Sequence, residues 1–193
     1  MILEVVKFGD PVLRKKGARI ETITPAIQRL IADMFETMYA AHGIGLAAQQ
    51  IGEALQLTVL DIRAVTDRPS TLELGGQLAD PNGFMPLVLI NPELTPYGPI
   101  VPGPEGCLSF PEIYGDVRRM ESVAVSALNQ HGQRIEFKCG GLLARAIQHE
   151  TDHLNGILFI DRMDRAVKEE LQEDIDLVQA DTKARLKLKS QRR

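Results

Sequence analysis

One domain built of both helices and strands is predicted from three features of this 193-residue chain: an amphipathic helical stretch near the N-terminus, a β-patterned middle containing a hairpin, and two helical stretches after it. Composition agrees with a globular chain, since 44% of residues are hydrophobic and 25% charged.

Thr24-Pro25 opens the first helix. Thr is a good N-cap, and Pro at the first helical position gives up no intrahelical hydrogen bond. Ile27, Leu30, Ile31, Met34, Phe35, Met38 and Tyr39 recur at spacings of three and four, forming one apolar face over residues 25 to about 41, with Gly43 as the predicted stop. Leu57–Ile62 reads as a strand. Residues 63–86 are rich in turn formers and lack periodicity, so they are expected to form a surface loop or excursion. Leu87–Asn91 reads as a short buried strand ended by Pro92. Val123, Val125 and Ala127 alternate with less apolar neighbours, Asn129-Gln130-His131-Gly132 turns, and Ile135 and Phe137 resume the alternation, which predicts a hairpin.

A second helix is expected from near Leu142 through His153, ended by Asn155-Gly156, and a third from about Asp164 into the 180s. Met163, Val167, Leu171, Ile175 and Val178 give the third a narrow apolar stripe. Residues 161–181 hold eight acids and three bases, whereas 182–193 hold six bases and no acid. Such a basic end is either solvated or touches a polyanion.

Aromatics make up only 5% of the chain and Trp is absent, which argues against stacking platforms for bare nucleotides. The net charge of −4 excludes a polyanion binder at the level of the whole molecule. Cys107 and Cys139 cannot build a disulfide framework. Glu4, Lys7 and Asp10 interrupt the N-terminal apolar residues, so no signal peptide is visible, and no run approaches the ~20 apolar residues of a membrane span. A cytoplasmic protein without membrane contact is expected.

The strongest chemical signal is His149-Glu150-Thr151-Asp152-His153. On a helix, positions i and i+4 share a face, so both imidazoles can reach one metal ion while the intervening Glu handles the proton of a bound water. Catalytic sites of this kind take three protein ligands and keep a position open. Position 159 is Phe, so no third His follows in an extended motif. The third ligand is a carboxylate (Asp161, Asp164, Glu169 or Glu170) or a cysteine, Cys107 in Glu105-Gly106-Cys107-Leu108-Ser109 or Cys139 at the end of a strand. The Gly-rich segment Gly43–Gly52 follows a helix and lacks the Gly-Lys-Ser/Thr ending, so it does not cradle phosphate; a Gln in it either aims an amide at an oxyanion or caps a turn. Ser109 has no free histidine to activate it if both bind metal. Arg118 and Arg119 hold a peptide carbonyl or carboxylate, or form a solvated pair. His42 reads as a cap or surface residue and His131 as a turn residue.

Gly43-Ile44-Gly45-Leu46-Ala47-Ala48-Gln49-Gln50, Glu105-Gly106-Cys107-Leu108-Ser109 and Gln148-His149-Glu150-Thr151-Asp152-His153 resemble, in the same order, the three signature motifs of the peptide deformylase family. The likeness extends to Phe8-Gly9-Asp10-Pro11-Val12-Leu13-Arg14 and spans most of residues 1–165. It implies an α+β fold, with mixed or antiparallel sheets around a central metal-bearing helix, an N-terminal amphipathic helix and a C-terminal helix. It implies one divalent metal on Cys107, His149 and His153, with water as fourth ligand. Fe²⁺ is expected in cells, and Zn²⁺, Ni²⁺ or Co²⁺ can take its place. It makes Glu150 the general base and acid, Gln50 and the backbone N–H of Leu108 donors to the formyl oxygen, Gly45 a substrate hydrogen-bonding residue, and Ile44 part of the methionine pocket. The implied reaction is removal of the N-formyl group from the N-terminal methionine of newly made polypeptides by metal-activated hydroxide, releasing formate. Residues 1–165 form the implied metal-hydrolase domain, with 166–193 as the C-terminal helix and basic tail of the same domain. The tail suits the subgroup with C-terminal helices, and Lys183–Arg193 is a candidate for ribosome contact. The 63–86 excursion is longer than in compact members and points to a changed rim or peptide preference. An endopeptidase fits less well, because the sequence leaves no room for a separate substrate domain. A closed structural metal with a polyanion-docking tail is the third reading.

Overall fold

The computed structural model describes residues 1–191. In chain order its regular elements are α1 (Pro25–Ala40), β1 (Gly45–Ala47), β2 (Leu57–Leu60), β3 (Ser70–Leu74), β4 (Gln77–Ala79), β5 (Leu87–Cys107), β6 (Phe110–Leu128), β7 (Arg134–Gly140), α2 (Gly141–Leu154), α3 (Arg165–Glu170) and α4 (Gln172–Gln191). The strands form one sheet in the order β1-β2-β5-β6-β7-β3-β4, and every pairing is antiparallel. The α+β class therefore holds, in its antiparallel form. No helix among the described residues is long and apolar enough to cross a membrane.

Three apolar clusters place the helices. Leu142, Leu143, Ala146 and Ile147 of α2 pack on Leu60, Leu89, Val123 and Phe137 of the sheet. The apolar face of α1, through Ile31, Met34 and Met38, packs on Leu46, Leu57 and Val59. Ile175 of α4 joins Leu13, Phe110, Val117 and Phe159 at the far end. The Thr24 hydroxyl caps α1 by accepting from the Ile27 N–H at 3.3 Å, as its sequence predicts. The left-handed residue that ends α1 is His42 (φ 55°) rather than Gly43, whose N–H then closes onto the Met38 carbonyl at 2.9 Å.

Residues 63–86 are not a plain loop. They fold into the β3–β4 hairpin, turned by Gly75 and Gly76, both at positive φ (56° and 82°). Gly-Gly is a preferred two-residue turn because its twist matches that of the strands it joins. β3 then pairs with β7, so the excursion extends the sheet.

Pro92 does not end its strand, because β5 runs on to Cys107 through five prolines. β2 faces β5 only opposite Leu87–Ile90. Beyond that point β5 has a partner only on the β6 side, which leaves its other edge open, and a missing N–H on that edge is tolerated. Register shifts at Ile90/Glu93 and Tyr97/Ile100 bend this ribbon, and Cys107 lies at its turn, opposite Phe110.

The predicted third helix is broken at Leu171 into α3 and α4. The break seats Leu171 beside Val167 and Met163 over Gly115 of β6, where any Cβ would meet the Met163 methyl at 2.6 Å. The basic tail runs as the last turns of α4, with Lys189 paired to Glu4 at 3.0 Å. Its final residues, Arg192 and Arg193, lie outside the described residues.

Candidate metal centre and active site

α2 is buried along nearly its whole length, yet it carries Arg145, Gln148, His149, Glu150, Asp152 and His153, all buried. Burying such groups is costly unless each finds a partner or a ligand.

His149 and His153 lie one helical turn apart, with ring centroids 5.1 Å from each other. Cys107 arrives from the β5–β6 turn, and the three candidate ligand atoms lie within 4.8 Å of one another. Cys107 Sγ is 3.3 Å from His153 Nε2. The other predicted candidates are engaged elsewhere. Asp161 pairs with Arg14, Asp164 with Arg118 and Glu169 with Arg165, while Glu170 is exposed. Cys139 is in the core, where burial pushes its thiol up to about 12.

Behind the triad lies a chain of charges that sequence reasoning left unassigned. His149 Nδ1 donates to Glu105 Oε2 at 2.8 Å. Arg119 grips both oxygens of Glu105, at 2.5 Å and 2.9 Å, and reaches Asp152 at 2.8 Å. Asp152 also accepts from Arg162 at 2.7 Å. Arg145 donates to Glu105 at 3.0 Å and to the carbonyls of Val117 and Val101, each at 2.9 Å. Burial opposes charge on Glu105, but His149 and Arg119 outweigh it and hold its carboxyl well below the usual range. Arg119 is thus neither solvated nor free for a peptide. The available signal was the excess of charge inside an otherwise apolar helix period.

Gln50 is buried and oriented at both ends. Its Oε1 accepts from the Ala47 N–H at 2.8 Å, and its Nε2 lies 3.4 Å from Cys107 Sγ and 3.5 Å from Ser109 Oγ. The N-terminal segment straps the first two motifs together. Val6 N–H donates to the Gln50 carbonyl and Phe8 N–H to the Ser109 carbonyl, both at 2.9 Å. Lys7 Nζ donates to the Leu108 carbonyl at 2.6 Å, which orients the Leu108–Ser109 peptide. Burial lowers the Lys7 ammonium below its usual range.

Gly45 has a stereochemical reason to be glycine, since a Cβ there would collide with the Glu150 carboxylate. Glu150 itself is buried, and its Oε2 has no hydrogen-bond partner. Burial pushes its carboxyl up to about 7, against the pull of His149 and Arg119. Burial likewise holds His153 well below the usual imidazole range, so it is neutral, as a metal ligand must be. His149 moves the other way: burial opposes its charge, but hydrogen bonds to Cys107 and Glu105 raise it.

The motif residues open onto one cleft of about 650 Å³. Cys107, His149, Glu150, Gln50 and Leu108 meet there, with Ile44, Leu142 and Ala146 forming an apolar flank. His153 lies behind them as the third member of the triad. One sulfur and two nitrogens, one imidazole braced by a carboxylate, fit a divalent first-row cation. An acid without a partner beside a triad that could hold one cation is the make-up of a hydrolase site.

The comparisons narrow the class. Residues 2–169 match the polypeptide deformylase family profile. The peptide deformylase of Opitutus terrae is 44% identical over 190 residues, covering 97% of this chain and 98% of that protein. That of Methylacidiphilum infernorum is 45% identical over 176 residues, covering 89% and 92%. The crystal structure of a peptide deformylase from Synechococcus elongatus in complex with actinonin superposes with a TM-score of 0.76 at 40% identity, covering 91% of this chain and 85% of that one. The chain belongs to the polypeptide deformylase family. It is an enzyme of that class, whose activity is removal of the N-formyl group from newly made polypeptides.

Proposed function

We propose that the chain is a metal-dependent deformylase whose reaction centre is the cleft joining Cys107, His149, His153, Glu150 and Gln50. The observation that carries this reading is the convergence of one thiol and two imidazoles beside a buried carboxylate oxygen that lacks any partner. Cys107, His149 and His153 would hold one divalent cation, Fe²⁺ in cells, with Zn²⁺, Ni²⁺ or Co²⁺ as replacements. When bound, such a cation supplies Lewis acidity, lowering the pKa of water toward ~7 and polarising a carbonyl oxygen.

The side chains then divide the work. Glu150 takes one proton from the water as the water oxygen bonds to the formyl carbon. Gln50 Nε2 and the Leu108 N–H donate to the formyl oxygen as charge grows on it, and one such donor is typically worth ~2.7–4 kcal/mol. Lys7, holding the Leu108 carbonyl, fixes the Leu108–Ser109 peptide, one unit beyond that N–H. Glu150 delivers its proton to the amine nitrogen as the C–N bond breaks, leaving formic acid, which ionises to formate, and a free methionine amine. Ile44 flanks the pocket for the methionine side chain, and Gly45 offers its backbone to the substrate.

Formate release from formyl-Met peptides, compared with acetyl-Met and unblocked peptides, tests the assignment. Release from the formyl series alone is expected; cleavage of internal peptide bonds, or no release from a metal-loaded sample, overturns it. The exposed bases Lys183, Arg185 and Lys187 near the end of α4 favour contact with ribosomal RNA. Co-sedimentation with ribosomes at low salt should therefore fall when residues 183–193 are deleted.

A further inference from the structure

Arg68 stands in the 63–86 excursion, which the sequence links to a changed rim or peptide preference without singling out a residue. It is half-buried, it lines the catalytic cleft, and among the described residues it has no hydrogen-bond or ion-pair partner. The other lining arginine, Arg145, is fully committed to Glu105 and to backbone carbonyls. Lys7 is committed to the Leu108 carbonyl.

Its position is fixed by the next two residues. The Pro69 carbonyl accepts from the Leu142 N–H at 3.1 Å, and Ser70 Oγ accepts from the Leu143 N–H at 3.0 Å. These contacts satisfy two of the open N–H groups in the first turn of α2. They tie the excursion to the helix that carries His149 and Glu150. Gly141 permits the approach, since a Cβ there would collide with the Pro69 carbonyl. The arginine is thus held at the rim by the anchored backbone that follows it, with β3 continuing into its pairing with β7.

The charge of the mouth differs from that of the molecule. The chain as a whole carries −4. Of the charged side chains lining the cleft, Glu105 is neutralised by Arg119 and Arg145, and Glu150 belongs to the reaction centre. What remains is Lys7 and Arg68 against the single exposed acid Glu112. A cationic mouth on an anionic protein concentrates and orients anionic ligands.

We propose that Arg68 is a specificity-determining residue, engaging acidic side chains in the first residues after the formyl-methionine. The inference rests on the proposed reaction for its substrate, but the geometry of Arg68 is independent of the metal.

The test compares formyl-Met-Glu-Glu-Ser, formyl-Met-Ala-Ala-Ser and formyl-Met-Lys-Lys-Ser on the metal-loaded enzyme. The wild type should prefer the acidic over the basic peptide in kcat/KM by roughly three- to tenfold at low salt, shrinking as salt rises, as for a partly exposed ion pair. Arg68→Ala should bring that ratio to near one while leaving kcat on the alanine peptide within about twofold, and Arg68→Lys should restore part of the preference. Arg68→Glu should invert it. The same ratio is read without turnover from the affinities of the unformylated products Met-Glu-Glu-Ser and Met-Lys-Lys-Ser, so a failure of the proposed reaction leaves this arm intact. An unchanged ratio in Arg68→Ala, in kcat/KM or in product affinity, overturns the proposal. So does an equal loss on all three peptides, which would mean that Arg68 only supports the end of α2.

Discussion

Glu105 accepts the Nδ1–H of His149 at 2.8 Å, and both of its oxygens are gripped by Arg119. This contact fixes which imidazole nitrogen faces the cleft. It sets the ring plane through a carboxylate that is itself locked to β6 and α2. Outer partners of this kind typically change metal affinity by about 10–100-fold when removed. Glu105→Gln should therefore retain metal about 10–100-fold less well in chelator competition. Unchanged retention would reduce Glu105 to a packing role.

Gly45 and Glu150 are the second close pair. Gly45→Ala leaves all three ligands in place but pushes the Glu150 carboxylate aside. Displacing a reacting group by about 1 Å can cost about 10²-fold in rate. The variant should keep its metal by elemental analysis and lose turnover on that scale. Normal kcat would show that the carboxylate tolerates displacement.

The acid limb of activity follows from Glu150. Burial raises its carboxyl to about 7, and a general base must be ionised to act. Activity should fall as pH drops through this region, with the midpoint below 7 in the metal-loaded enzyme, because a nearby cation favours the carboxylate. Glu150→Ala should hold metal, lose ~10²–10⁴-fold in kcat and lose this limb. A wild-type kcat/KM flat between pH 5 and 8, or a variant near wild-type rate, contradicts the assignment.

Phe159 lies between the strap and the site. It is buried, packs edge-on against Phe110 at 5.1 Å and touches the His149 ring at 5.9 Å. Phe159→Ala should cost about 3–5 kcal/mol of stability, read as a lowered Tm of the metal-free protein. A loss below about 1 kcal/mol would mean that the surrounding cluster collapses to fill the space.

Much of this could be read in the sequence because its determinants are local. The Thr24-Pro25 cap, the apolar spacing of α1 and the His149/His153 pair each specify structure within a few turns. The Gly75-Gly76 hairpin was equally local, since Leu72 and Leu74 alternate before the Gly pair and Leu78 follows it, but only Leu72 of these is buried, and the turn formers on either side masked the short pattern. The continuation of β5 past Pro92 could not be read from proline content alone. Those prolines are tolerated because β2 ends its pairing at Ile90, a fact of topology. The partners of Glu105, Arg119 and Asp152 were also hidden. They come from β5, β6 and α2, and only their long-range convergence distinguishes a buried network from three solvated charges. The choice of Cys107 over Cys139 has the same origin: one lies at a bent ribbon's turn facing α2, the other in the core.

The most direct measurement is metal content and electronic absorption of anaerobically prepared, Co²⁺-substituted enzyme, for the wild type and Cys107→Ser. One ion per chain is expected in the wild type, with a sulfur-to-cobalt charge-transfer band that disappears in the variant along with tight retention. One tightly held ion with the same band in Cys107→Ser would contradict the assigned triad.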